Sequence, residues 1–317
     1  MEETDSKNKT KDELKNSDDC IKIDFHIHSC HSACGSLDMS PKNVIQSLLN
    51  QNIKIAAISD HNSIKNSFSF ISLGMINGIC IFPACEIQTE EEIHLVVVFP
   101  NLEIAQKWQN WIDHIIPKIE LNPEIFGDEP IVDEDENILE LPEILYSVSL
   151  PISFDDLEKK VMQDNLIYFP AHIGDSSYSL ISQLGFIPED HLFHIAEVSN
   201  KKDFDIFKNS NPDLTLITNS DAHYLNQIGL RYNCIYSDHL KIAFEEFLAS
   251  IKKVFTVEAC NIDNKYNQNI ISDKNRLIKI DKKIEEIRNR IYFIIKDILN
   301  SDQNNNNKFV IKTIFNK

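Results

Sequence analysis

Short apolar, β-branched runs alternating with longer amphipathic segments constrain this chain more than any other feature. The runs are IKIDF (21–25), IKIAAIS (53–59), ICIFPA (79–84), HLVVVF (94–99), LIYFPA (166–171), HIAEVS (194–199), LTLITN (214–219) and NCIYS (233–237). Between several of them lie helical patterns such as PKNVIQSLLNQN, where Ser40 and Pro41 supply N-cap and first-turn signals. Repeated β-then-α alternation predicts an α/β fold: a parallel sheet with helices outside it, doubly wound or closed as a barrel. A length of 317 residues allows one large domain or two ordinary ones.

Two regions break this rhythm. Residues 101 to about 155 open with a helical pattern, EIAQKWQNWIDHIIPKI, and continue into an acidic stretch too long for an ordinary connection. They read as an insertion with the reach of a lid, in which Trp108 and Trp111 serve helix packing. In the C-terminal segment, 263–317, Leu277, Ile280, Ile284, Ile287, Ile291, Ile294 and Ile298 recur at alternating steps of 3 and 4. That seam supports two readings: a helix packed on its own body, or a coiled coil for a homo-oligomer or a protein partner. SDQNNNN then reads as a linker before KFVIKTIF, and residues 1–20 as a disordered charged tail.

Composition excludes several function classes. The 49 acidic and 31 basic side chains leave a formal charge of -18, which opposes wrapping of nucleic acid or binding to anionic membranes. The 7 glycines form no G-x-G or G-x-x-x-x-G-K arrangement, so the dinucleotide and P-loop fingerprints are absent. The 7 cysteines form no C-x-x-C pair and read as reduced thiols. No apolar run approaches the ~18 residues of a membrane span, and a cytoplasmic location is expected.

The chemistry gathers where the strand-like runs end. His26 and His28 follow the first run, Asp60 and His61 the second, Glu86 the third, His172 the fifth, and Asp221 and His223 the seventh; His94 instead opens a run. In α/β folds the carboxyl ends of strands share one face, so these groups become neighbours. Alone, each motif is an ordinary turn or core feature. Together they exceed what packing explains, because burying unpaired ionisable groups is costly. Converging imidazoles and carboxylates suit Zn, Mn or Fe. Asp60 is a candidate for proton handling or for capping the segment after His61. Arg231 is a candidate for substrate phosphate, since guanidinium matches phosphate oxygens bidentately. Glu197 reads as a pocket residue or a buried anchor.

The ordered set DFHIHS, AISDHNS, PACEI, EEIHLVVVF, FPAHI and NSDAHYL resembles the polymerase and histidinol phosphatase (PHP) domain family of metal-dependent phosphoesterases. It is similar in particular to the bacterial branch with a long insertion after the E-E-x-H-L strand. The resemblance spans about 22–237 within an expected domain of 21–262. It implies a distorted seven-stranded, TIM-like β/α barrel with two or three divalent metal ions at its C-terminal face. On that resemblance His26, His28, Glu86 and Asp221 hold one metal. Glu86, His94 and His172 hold a second, and His61 and His223 a third. The family places an aspartate or histidine five or six residues after H-x-H, where this chain has Ala33 and Cys34. Cys34 can ligate as a thiolate, favouring zinc, with His31 and Asp38 as alternatives. The implied function is metal-dependent hydrolysis of a phosphoester in a small phosphorylated metabolite, a nucleotide or a nucleic-acid end. The alternatives are a nuclease subunit working with a partner, or a metal-binding scaffold of little activity.

Overall fold

The computed structural model describes residues 20–262, 282–301 and 309–316. β1 (Ile21–Asp24), β2 (Ile55–Ile58) and β3 (Cys80–Gln88) are adjacent and parallel, joined by α1 (Pro41–Asn50) and α2 (Ser67–Ile76). β4 (His94–Val98) folds back antiparallel on β3. The chain then leaves the sheet for α3 (Leu102–Ile115), α4 (Pro123–Phe126) and a hairpin of β5 (Ile131–Val132) and β6 (Ile138–Glu140). α5 (Phe154–Gln163) leads it back to β7 (Ile167–Pro170), which pairs with β4. After α6 (Leu180–Leu184), β8 (Ile195–Glu197) and β9 (Thr215–Ile217) form a separate parallel pair linked by α7 (Lys201–Ser210). β10 (Arg231–Ser237) lies antiparallel to β1 and is followed by α8 (Asp238–Ile262). α9 (Lys282–Leu299) and β11 (Phe309–Phe315) complete the set, with β11 antiparallel to β10.

All eight strand-like runs are strands, and the expected α/β fold with a seven-stranded sheet is present, though not as a closed barrel. The main sheet has seven strands in the order β11-β10-β1-β2-β3-β4-β7, with mixed directions. Its seventh member comes from the C-terminal segment, while β8 and β9 stand apart. Single contacts bridge the gaps: Ile173 N–H donates to the Glu197 carbonyl at 2.9 Å, and the Asn233 side chain bonds the Thr218 backbone. Among the described residues no continuous ladder closes the ring. The structure is a curled, seven-stranded mixed sheet.

Strand alternation explains where the core ends and the polar cluster begins. On one face of the sheet lie Ile23, Ile55, Phe82, Ala84, Val96, Val98, Ile167 and Phe169, all buried in one apolar cluster. Continuing the same parity along the strands reaches Glu86 on β3, His94 on β4 and Glu197 on β8. The face is therefore apolar at one end and ionisable at the other. α1 and α2 cover the opposite face of β2 and β3 through Val44, Leu48, Phe70 and Ile71.

α9 packs against the apolar end. Its Ile284, Ile287, Ile291 and Ile298 are buried in the same cluster, together with Phe244 and Phe247 of α8. Tyr292 Oη donates to the Val98 carbonyl at 2.7 Å and accepts from Ile167 N–H at 2.6 Å, while Arg288 donates to the Ile81 carbonyl at 2.6 Å. Of the two readings of the seam, its described part is packed on its own body. Leu277 and Ile280 lie outside the described residues, as do the tail 1–19 and most of the linker.

The insertion is anchored rather than loose. α3 buries Ala105, Trp108 and Ile112 against the outer face of β4, and Trp108 Nε1 donates to Asp164 at 2.8 Å. Cys20 and Cys234 form a disulfide, which corrects the reading of uniformly reduced thiols; Cys30, Cys34, Cys80 and Cys85 are free. Among the described residues no helix is long and apolar enough to cross a membrane.

Candidate metal centre

Each cluster residue is delivered by a strand end. β1 runs out into His26 and His28, β2 into Asp60 and His61, and β3 carries Glu86 near its end. His94 opens β4 opposite Gln88, because antiparallel pairing brings the start of β4 to the end of β3. β7 runs parallel to β3, so His172 just past it reaches the same face. Two loops bend sharply there: His172 (φ 31°) and Asp221 (φ 50°) occupy the left-handed region, which costs non-glycine residues energy and is concentrated at functional sites.

The buried Glu86 carboxylate is the hub. Its Oε1 lies 3.1 Å from His26 Nε2, 3.0 Å from His94 Nδ1 and 3.4 Å from His172 Nε2. Its Oε2 lies 3.3 Å from His28 Nε2 and 3.0 Å from His61 Nδ1. Asp221 Oδ1 is 3.4 Å from the Nε2 atoms of both His26 and His28, and 3.6 Å from His223 Nδ1. Cys34 Sγ is 3.2 Å from His61 Nε2, and donors of His28, Cys34, His61 and His223 all fall within 4.8 Å of one another. Two further such groups are His26, His28 and Glu86, and His61, Glu86 and His94.

The donor set fits metal ions on its own chemistry. His61 Nδ1, His94 Nδ1 and Glu86 Oε1 are buried and make no well-aligned hydrogen bond although each imidazole nitrogen stands 3.0 Å from the carboxylate, and the Nε2 atoms of His26 and His28 point at each other 3.3 Å apart. Facing lone pairs of this kind need a cation or a proton between them. The titration behaviour agrees. Burial opposes ionisation of Glu86, Glu197 and Asp221, yet the surrounding imidazoles hold all three carboxylates below their ordinary range. Burial also pulls the imidazoles down, but Glu86 and Asp221 outweigh it at His28, and Glu86 at His61, raising both to about 9. At His94 burial outweighs Glu86 and the value falls to about 4; at His223 burial and the neighbouring His28 bring it to about 3. The cluster attracts positive charge to its centre.

The remaining expected residues sit behind this layer. Asp60 accepts from Ser29 N–H, Ser29 Oγ and Ser32 Oγ, each at 2.7 Å, and Ser32 Oγ is 3.0 Å from His28 Nδ1. It reaches the cluster through Ser32 and His28, and it caps no helix, since α2 starts only at Ser67 with Asn66 at its N-cap. Arg231, expected on substrate phosphate, donates Nε to the Asn219 carbonyl at 2.8 Å and a terminal nitrogen to the Ser220 carbonyl at 2.5 Å. It braces the turn that presents Asp221. His31 is committed to the Glu129 carbonyl and Ser63 Oγ, and among the described residues Cys34, unlike His31 or Asp38, belongs to a group of convergent donors.

Sequence reasoning left Glu197 undecided; it lies 3.1 Å from His26 Nδ1 and accepts from Asn219 Nδ2 at 2.8 Å. A carboxylate on the far ring nitrogen fixes the tautomer of a ligating histidine. Its place at the end of β8 was the available signal. Gln88, whose Oε1 is 3.4 Å from His94 Nε2, and Tyr178, whose ring stacks on His94 at 4.9 Å, carried no signal in the sequence.

No family model matches the chain, and no curated protein sequence matches it. Solved structures do. The lesion-specific endonuclease PfuEndoQ from Pyrococcus furiosus superposes with a TM-score of 0.54 at 17% identity, over 74% of this chain and 56% of that one. Endonuclease Q in complex with a 27-mer duplex bearing an abasic lesion at its active site gives 0.53 at 16% identity, over 74% and 57%. The likeness is one of fold, and it spans a little over half the length of those proteins.

Proposed function

We propose that this chain is a metal-dependent phosphoesterase of the PHP type. The observation that carries the reading is one buried carboxylate, Glu86, flanked on its two oxygens by five imidazoles from four separate chain segments. Divalent cations held there would lower the pKa of water to give hydroxide near neutrality and offset the charge of a phosphate. The chain's own residues supply the rest. Glu86 and Asp221 bring negative charge to both sides of His26 and His28, Glu197 orients His26, and Asp60 orients His28 through Ser32. Cys34, His61, His223 and His28 form a softer, nitrogen- and sulfur-rich pocket beside the carboxylate-rich one. The fold likeness to an endonuclease supports including nucleic-acid ends among the substrates tried.

Metal analysis of protein purified without chelator, followed by assays on phosphomonoesters, nucleotides and short oligonucleotides, tests this reading. His26→Ala and Asp221→Ala should each abolish hydrolysis and lower metal content while circular dichroism stays unchanged. Retained turnover in either variant overturns the assignment.

A further inference from the structure

The cleft above the cluster, about 300 Å³ in volume, carries no lysine or arginine on its lining. Arg231, the arginine that the sequence offered for a phosphate, is committed to the carbonyls of Asn219 and Ser220. Most polar groups of the lining are committed as well. His61 and His94 face Glu86, Cys34 faces His61, and Gln88 donates Nε2 to Ser149 Oγ at 2.9 Å with its Oε1 toward His94. Two hydroxyls of the lining have no hydrogen-bond partner among the described residues: Tyr178 Oη and the buried Ser147 Oγ. Polar groups left in that state call for an explanation.

Tyr178 is also held in place at a cost. It occupies the left-handed region (φ 53°), an outlier for a bulky residue that persists where neighbours enforce it. The neighbours are on both sides. Its carbonyl accepts from His94 N–H at 3.0 Å, and the next residue, Ser179, caps α6 and donates Oγ to the Asp175 carbonyl at 2.6 Å. The ring consequently lies parallel to the His94 imidazole, 4.9 Å away with 13° between the planes, along the wall of the cleft. Ser147 comes from the insertion, whose backbone is fixed nearby by Asn62 Nδ2 on the carbonyls of Tyr146 and Val148, both at 2.7 Å.

Resting on the phosphoesterase reading, we infer that Tyr178 is a substrate-binding residue, its hydroxyl donating to a non-bridging oxygen of the phosphoryl group while Ser147 Oγ donates to another. The anion is recognised by the cations below it and by uncharged hydroxyls beside it, with no guanidinium or ammonium. A donor bonded to a charged oxygen is worth more than one bonded to a neutral oxygen, and a donor fixed beforehand by packing needs no reordering when the anion arrives. The insertion thereby contributes a side chain to the site as well as a wall.

Calorimetry with inorganic phosphate on the zinc- or manganese-loaded protein tests this. Tyr178→Phe keeps the ring, its stacking on His94 and the backbone, and removes only the hydroxyl. It should lower phosphate affinity about tenfold, with metal content and melting temperature unchanged. Ser147→Ala should lower it severalfold, and the two effects should multiply in the double variant because the hydroxyls serve different oxygens. Unchanged affinity in Tyr178→Phe overturns the inference and leaves the phosphoesterase reading intact. So does a loss of metal that parallels the loss of affinity, since the hydroxyl would then act through His94 and not on the anion. Full affinity in Ser147→Ala overturns the share given to the insertion. Failure of phosphate to bind the loaded wild-type protein overturns the inference and the phosphoesterase reading together, whereas a retained Tyr178→Phe effect without hydrolysis of any phosphoester overturns that reading alone.

Discussion

Cys34 occupies the place at which the PHP pattern has an aspartate or histidine, and its sulfur points at His61 Nε2 from 3.2 Å. A thiolate among three imidazoles favours zinc over manganese, so Cys34→Ala should lower the zinc retained after dialysis by about one equivalent and leave manganese binding less changed. Unchanged zinc content would remove Cys34 from the ligand set. The other proposed ligands were legible because ionisable residues at strand ends need a reason to be there. Asp60 and Arg231 were legible as important but not in role, since their partners are backbone and serine groups brought close only by folded loops. A second residue-scale prediction concerns Glu158, which the sequence did not single out. Burial raises its carboxyl to about 7 against the bond from Leu192 N–H, while the unfolded chain ionises near 4.5. Between those values the folded state keeps a proton that the unfolded state loses, so stability falls as pH rises through the window. The loss amounts to up to about 3 kcal/mol. Glu158→Gln should therefore raise the melting temperature at pH 8 and change it little at pH 4. A difference independent of pH would contradict this account.

The elements of the body were read from β-branched runs, and each run is a strand because its side chains are buried on both faces between the inner cluster and the outer helices. Strand direction was less legible. Nothing in HLVVVF distinguishes parallel from antiparallel, yet the antiparallel turn from Gln88 to His94 is what carries that histidine to the cluster. The heptad seam shows the same limit: a 3-and-4 spacing specifies an apolar stripe and not the surface that covers it. Ile291 is fully buried against the inner face of the sheet. Ile291→Ala should cost about 2–5 kcal/mol of unfolding free energy in a denaturant titration, through lost burial and a residual cavity. If the seam instead faced another copy in solution, the same substitution would lower the mass measured by light scattering and spare the unfolding midpoint of the separated chain.

At the scale of the whole molecule, the histidine end and the apolar end are built by one sheet but closed by different means. The histidine end is shaped by strand termini and the insertion. The apolar end is covered by α8 and α9, while β11 extends the sheet from β10. Ring closure could not be read from the strand pattern, because a curled sheet and a closed barrel share the same alternation and differ only in whether the last ladders form. The role of the C-terminal segment follows from packing. Ile284, Ile287, Ile291, Tyr292, Ile295, Ile298 and Leu299 are all buried. At about 1.5 kcal/mol or more for each such side chain their burial amounts to roughly 10 kcal/mol, comparable to the whole net stability of an ordinary domain. Removal of residues 265–317 should therefore abolish the cooperative thermal transition and, with it, metal binding at the distant cluster, although no proposed ligand is deleted. A truncated chain that stays folded, binds metal and runs at a lower mass would show instead that α9 serves assembly.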